Sequence, residues 1–119
     1  MNETATTPAV PPAAYDRDRL VELFGDDPGT LAEVEGEFLE TARIAQKEIV
    51  NTTDVVAIAR AAHRLKGASG MIGAASLHKI AEAIERAAKA GDLAGVRRAR
   101  ETLGREVERV ALQVGAAGG

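Results

Sequence analysis

Apolar residues return at every third or fourth position through four separate stretches of this chain, and no stretch alternates as a strand would. The first runs Leu31, Val34, Phe38, Ala42, Ala45, Ile49, and the second Ile58, Ala61, Ala62, Leu65, Ala68, Ile72. The third holds Leu77, Ile80, Ala81, Ile84, Ala88, and the fourth Leu93, Val96, Ala99, Leu103, Val107, Val110, Val114. This period places one apolar stripe on an α-helix. The breaks between stretches are only a few residues long, so neighbouring helices must run antiparallel. The expected fold is all-α: an antiparallel up-down four-helix bundle with a short extra N-terminal helix.

The punctuation agrees with the period. Asp16 or Asp18 opens the short helix through Leu20, Val21, Leu23 and Phe24, and Gly25 closes it. Asp27 followed by Pro28 is an N-cap with proline at the first helical position. Asn51-Thr52-Thr53-Asp54 breaks and recaps the chain, and Gly91-Asp92 does so again. Residues 1–14 contain three of the four prolines and little to bury, so they read as a disordered arm. The bundle is expected over 15–114, with 115–119 as a flexible tail.

Composition narrows the chemistry. The 119 residues fit one domain. Fifteen basic against 18 acidic residues, with 3% aromatics, provide neither a footprint for phosphates nor platforms for bases, so no nucleic acid is expected as a partner. The absence of cysteine rules out disulfides, thiol nucleophiles and cysteine metal sites. No apolar run reaches the roughly 18–20 residues that span a bilayer, and Met-Asn-Glu-Thr is not a secretory signal. No membrane partner and a cytoplasmic setting are therefore expected. Alanine, at 24 residues, favours helix and lets helices approach closely.

One helix has an unusual outer face. With about 100° per residue, the arc opposite the apolar stripe of the second long helix carries Val56, Ala59, His63, Gly67, Gly70 and Ala74, with Arg60 and Lys66 at its edges. Solvent faces normally carry long polar side chains, whereas this one is nearly bare around a single imidazole. Each glycine costs about 1 kcal/mol relative to alanine within a helix. Gly67 lies one turn beyond His63, where a side chain would lie beside the ring, and Lys66 at i+3 places an ammonium nearby. A neutral imidazole is a nucleophile near neutral pH, and a phosphoryl group attached to it would need a neighbouring cation. An ordinary surface histidine beside helix-ending glycines accounts for the same residues without function.

The string His63-Arg64-Leu65-Lys66-Gly67-Ala68-Ser69-Gly70 resembles the signature of the histidine-containing phosphotransfer (HPt) domain of multistep two-component phosphorelays. The continuation Met71-Ile72-Gly73-Ala74-Ala75-Ser76-Leu77 is similar to the family as well. So is the opening Leu23-Phe24-Gly25-Asp26-Asp27-Pro28, followed by a helix containing Glu37-Phe38-Leu39. The likeness runs from about residue 16 to 112. It implies a phosphorelay intermediate in which His63 takes a phosphoryl group from one receiver-domain aspartate and passes it to another. It also implies that Lys66 balances the phosphate charge and that Gly67 keeps the ring accessible. The docking face would centre on Val56, Ala59, Arg60, Arg64 and Gly70. The implied partners are response-regulator receiver domains, with a hybrid histidine kinase as a further one. Such a protein is a phosphocarrier without ATP-dependent kinase activity. It needs no cofactor of its own, since the receiver brings the magnesium ion. A monomer is expected, and the chain is either free-standing or a fragment of a hybrid kinase.

Other features carry less. His78 reads as an ordinary surface histidine, and His63 with His78 lacks the spacing of a metal site. Arg97, Arg98, Arg100, Arg105 and Arg109, interleaved with Glu101, Glu106 and Glu108, read as a solvated, salt-bridged face. In kinase dimerisation domains an acidic residue directly follows the histidine, whereas here Arg64 does. The competing class is a helical interaction module that binds a signalling partner through the same face without being phosphorylated.

Overall fold

A computed structural model of the chain describes residues 13–118. Its five helices are α1 (Arg17–Phe24), α2 (Pro28–Val50), α3 (Val55–Met71), α4 (Ala75–Lys89) and α5 (Leu93–Gly118). No strand occurs among the described residues. α2 packs on α3 and α5, and α4 packs on the same two, so the four long helices close a square around one core, with α1 resting against α2. This is the expected antiparallel bundle with its short N-terminal helix. Among the described residues no helix is long and apolar enough to cross a membrane.

Aspartates start the helices by taking up N–H groups that have no intrahelical acceptor. Asp16 accepts from the Arg19 N–H, and Asp54 from those of Val56 and Ala57. Asp92 accepts from the Gly95 N–H. Asp27 accepts from both the N–H and the hydroxyl of Thr30, and these two bonds, the N–H first, hold its carboxyl below the usual range. α4 has no side-chain cap; Ala74 stands at that position. The turn before it closes α3 instead: Ala74 N–H donates to Ser69 C=O at 2.9 Å, while Gly73 takes φ +70°. α4 ends the same way, with Asp92 N–H to Ala87 C=O at 2.8 Å and Gly91 at φ +71°. These are Schellman endings, and glycine supplies the left-handed residue they require.

The predicted stripes meet inside the square. Ile49, Ile58, Leu65, Leu77, Ile84, Val96, Leu103, Val107 and Val110 are all buried, and alanines 42, 45, 61, 62, 81 and 88 fill the closer approaches between helices. Val34, Ile80, Leu93, Ala99 and Val114 are half-buried at its margin.

The chain entering α1 is held by hydrogen bonds to Gln113 and to Ile72. Ala14 N–H donates to Gln113 Oε1 at 2.7 Å, Gln113 Nε2 donates to Tyr15 C=O at 3.0 Å, and Asp16 N–H donates to Ile72 C=O at 3.0 Å. Most of the expected N-terminal arm, residues 1–12, lies outside the described residues, but Ala14 at its end is buried. Of residues 115–119, expected as a flexible tail, 115–118 continue α5, and Gly119 lies outside the described residues. Alanines in that segment favour helix, and a well-packed helix upstream extends readily at one bond per residue.

Tyr15 is enclosed: its ring meets Phe38 edge-on at 6.2 Å between centroids, and its hydroxyl donates to the buried carboxylate of Glu35. Burial first, and that hydrogen bond second, push the phenol well above its usual pKa. Glu35 falls on the core side of α2 and is reached from the surface by Arg17, at 3.7 Å. Tyr15→Phe leaves Glu35 buried with that weak partner alone. A loss of about 1–3 kcal/mol is expected, measurable by urea denaturation.

Candidate functional site

α3 presents His63 to solvent. Its stripe of Ile58, Ala61, Ala62, Leu65 and Ser69 is buried, and the histidine, on the other side of the helix, keeps 68% of its side chain exposed. Gly67 is exposed too, and a Cβ built on it meets nothing within 4 Å, so the space beside the ring is open. Val56 and Arg60 are exposed on the same side, and Ala59 is half-buried. With Val55, Ala88 and Lys89 they flank an open groove of about 660 Å³ beside His63.

The side chain that organises this face comes from α4. Glu85 is buried, and three residues converge on its carboxylate. His63 Nδ1 lies 2.9 Å from Oε2, Lys66 Nζ 2.8 Å from Oε1, and Lys89 Nζ 3.0 Å from Oε2. Lys66 and then Lys89 pull the Glu85 carboxyl down to about 2, against the burial that favours its neutral form and with a smaller contribution from His63. Glu85 is therefore ionised at neutral pH and can only accept. It follows that His63 Nδ1 carries the ring proton and donates it to Glu85. In the neutral ring the lone pair then sits on Nε2, which no hydrogen bond engages among the described residues. The acceptor thus selects the tautomer, and orients the ring as carboxylates do in other histidine sites.

This arrangement has a pH signature. The folded-state pKa of Glu85 lies below the ordinary value of 4.5. Its contribution to stability is therefore complete above 4.5 and is lost as pH falls from there toward about 2. Glu85→Gln removes that titration. Between pH 5 and 2.5 the melting temperature of the variant should fall less steeply than that of the wild-type chain; parallel slopes would mean that Glu85 is not held ionised.

Ala74 and His78 are placed differently from the sequence expectation, and Gly70, Lys66 and Arg64 make contacts it did not include. Ala74 is not on the bare face: α3 ends at Met71, the Gly73 turn redirects the chain, and Ala74 is buried as the first residue of the next helix boundary. Gly70 is exposed but serves the α3–α4 seam, because a Cβ there would come within 3.3 Å of His78 Nδ1. His78 is not an ordinary surface residue either. It is half-buried, and its Nδ1 donates to the Lys66 carbonyl at 3.0 Å, the only role open to it opposite a C=O. Lys66 points to Glu85 and is only 27% exposed. Arg64 is held by Glu48 of α2 at 2.8 and 3.0 Å. Among the described residues no group of three or more histidines or acidic residues converges as a metal site.

Glu85 escaped the sequence reading. The available signal was a glutamate on the core side of α4, one residue past Ile84 and one turn before Lys89, where an aliphatic residue would ordinarily stand. Its distance of 22 residues from His63 hides the contact from any local pattern.

A family model described as "Hpt domain" matches residues 29–113, which span α2 to α5 and include His63, Lys66 and Glu85. The chain belongs to the Hpt domain family. Hpt domains act as phosphocarriers in phosphorelays and interact with receiver domains and kinases. The short helix α1 and the buried Tyr15 lie before the matched part of this Hpt domain. Comparison with curated proteins gives no match, and neither does comparison with solved structures.

Proposed function

We propose that this Hpt domain is a phosphorelay intermediate that carries a phosphoryl group on Nε2 of His63. The supporting observation is the pairing of an exposed imidazole with a buried, ionised Glu85 on its Nδ1. In the forward step the Nε2 lone pair attacks the phosphorus of a receiver's aspartyl phosphate. An N–P bond forms, the acyl P–O bond breaks, and its electron pair returns to the aspartate carboxylate. The Nδ1 proton stays between the ring and Glu85, which stabilises the positive charge that the ring gains. Passing the group on reverses these bonds with a second receiver's carboxylate as nucleophile.

Lys66 and Lys89 already stand at Glu85, so two cations offset one carboxylate before any phosphate arrives. That surplus suits an incoming group of charge near −2. Gly67 and the groove along Val56, Ala59 and Arg60 leave room for a receiver to approach. No cofactor is required from this chain, and the receiver supplies the magnesium ion of its own acidic pocket.

Incubation with a phosphorylated receiver domain tests the proposal. An acid-labile, alkali-stable phosphoryl group should appear on this chain, as a phosphoramidate requires. A stable complex with no transferred phosphate would instead identify a plain interaction module.

A further inference from the structure

The basic face of α5 is not uniformly salt-bridged. Arg98 pairs with Asp92, Arg105 with Glu101, and Arg109 with Glu106. Arg97 and Arg100 have no ion pair among the described residues. These two line a pocket of about 410 Å³ together with Val50 and the polar loop Asn51, Thr52 and Thr53, between the end of α2 and the start of α3. The volume falls within the roughly 300–1,000 Å³ of small-molecule sites.

Two observations give this pocket a sign. First, Arg100 is half-buried and its Nε is enclosed without an acceptor, one of two such orphaned side-chain atoms among the described residues, Ser69 Oγ being the other. A guanidinium N–H taken from water without an acceptor is costly, by roughly 1–3 kcal/mol or more. Second, the acidic residues near it in the chain make their contacts elsewhere. Asp54 caps α3 through the N–H groups of Val56 and Ala57, while Asp92 is ion-paired with Arg98 and Glu101 with Arg105. Arg97 and Arg100 therefore line the pocket without an ion-pair partner among the described residues. Thr52 Oγ1 accepts from the Asp54 N–H, which leaves its hydroxyl proton free to donate. Thr53 and Asn51 add a further hydroxyl and an amide.

We infer that this pocket binds a phosphate-class oxyanion, as inorganic phosphate or as the phosphoryl end of a small phosphomonoester. Arg97 and Arg100 present planar N–H forks of the kind that fit tetrahedral oxyanions, and a dianion matches their combined charge. The site shares no lining residue with the His63 groove and does not rest on the phosphotransfer reading.

The test is a nitrogen-15 NMR titration of the full chain with inorganic phosphate and, separately, glycerol phosphate, with glycerol as the neutral control. Saturable shifts are expected at the Arg100 Nε–Hε resonance and at the Thr52 and Thr53 amides, with no response to glycerol. Tighter binding of glycerol phosphate would assign the site to a phosphomonoester, and equal binding to phosphate itself. Arg97 is exposed, so Arg97→Gln should keep the fold and weaken binding about tenfold, while Arg97→Lys should restore only part of it. Shifts that never saturate, or that appear equally at exposed Arg60 and Arg86, would overturn the inference. So would full binding by the Arg97→Gln, Arg100→Gln double variant with an unchanged melting temperature.

Discussion

His63→Gln should retain the bundle and take up no phosphoryl group from a phosphorylated receiver. Glutamine has a helix propensity close to that of its neighbours. The replaced side chain is mostly exposed and its one hydrogen bond is to Glu85, so a stability change within about 0.5–1 kcal/mol is expected. The loss at Glu85 is one of three partners, and Lys66 and Lys89 remain on the carboxylate. Chemistry is affected quite differently. An amide side chain has no basic nitrogen, so there is no lone pair able to form the N–P bond. Circular dichroism melts beside a phosphoryl-uptake assay separate the two effects. Uptake at the wild-type rate would sink the assignment of His63, and an unfolded variant would show that its hydrogen bond to Glu85 is needed for the fold.

Gly67→Glu should give a more stable protein that transfers poorly. The backbone at Gly67 does not take a positive φ, and a Cβ there meets nothing within 4 Å, so any side chain fits. Replacing glycine by a helix former inside α3 should add about 0.5–1 kcal/mol of stability. The same side chain, one turn from His63, covers the approach to the ring and opposes the phosphoryl charge. At roughly 6 Å, each unit of that charge is opposed by about 1–3 kcal/mol, depending on how much water intervenes. For a charge near −2 the expected slowing is roughly thirtyfold or more. Gly67→Ala separates bulk from charge: it should share the stability gain and slow transfer less. A Gly67→Glu protein with undiminished transfer would show that access over this position is irrelevant. A loss of stability would contradict the open space seen beside it.

If both results hold, the pair of variants would also account for a glycine kept inside a helix at a cost in stability. Local rules point to alanine at position 67, and the protein's departure from them falls one turn from the exposed His63. Sites of function are where such conflicts between local preference and observed residue are expected.

How far the sequence could be read depended on the range of each signal. The α2 to α5 stripes, the aspartate caps and the Gly91 ending are local, because period and cap chemistry act within a turn or two of helix. His63, Gly67 and Lys66 share one helix, so their relative placement followed from 100° per residue. The ends of that arc were less secure: Ala74 left it because Gly73 breaks the helix, and Gly70 turned out to make room for His78. Tyr15 and Glu35, 20 positions apart, and Gln113, 98 positions from Tyr15, gave no local sign of their contact. The five α5 arginines look alike in the sequence, yet among the described residues three find acidic partners and two do not.

By itself, then, the sequence determined a helical bundle, the direction in which each helix buries its stripe, and an accessible imidazole cleared of neighbours. The physical reason is that helix formation, capping and amphipathic facing depend on residues within a few positions of one another. Only the tertiary structure decided which nitrogen of that imidazole keeps a free lone pair. The choice rests on a carboxylate carried by the next helix, and that carboxylate is kept ionised despite burial by two lysines from two different helices. Packing between helices alone brings those four side chains together.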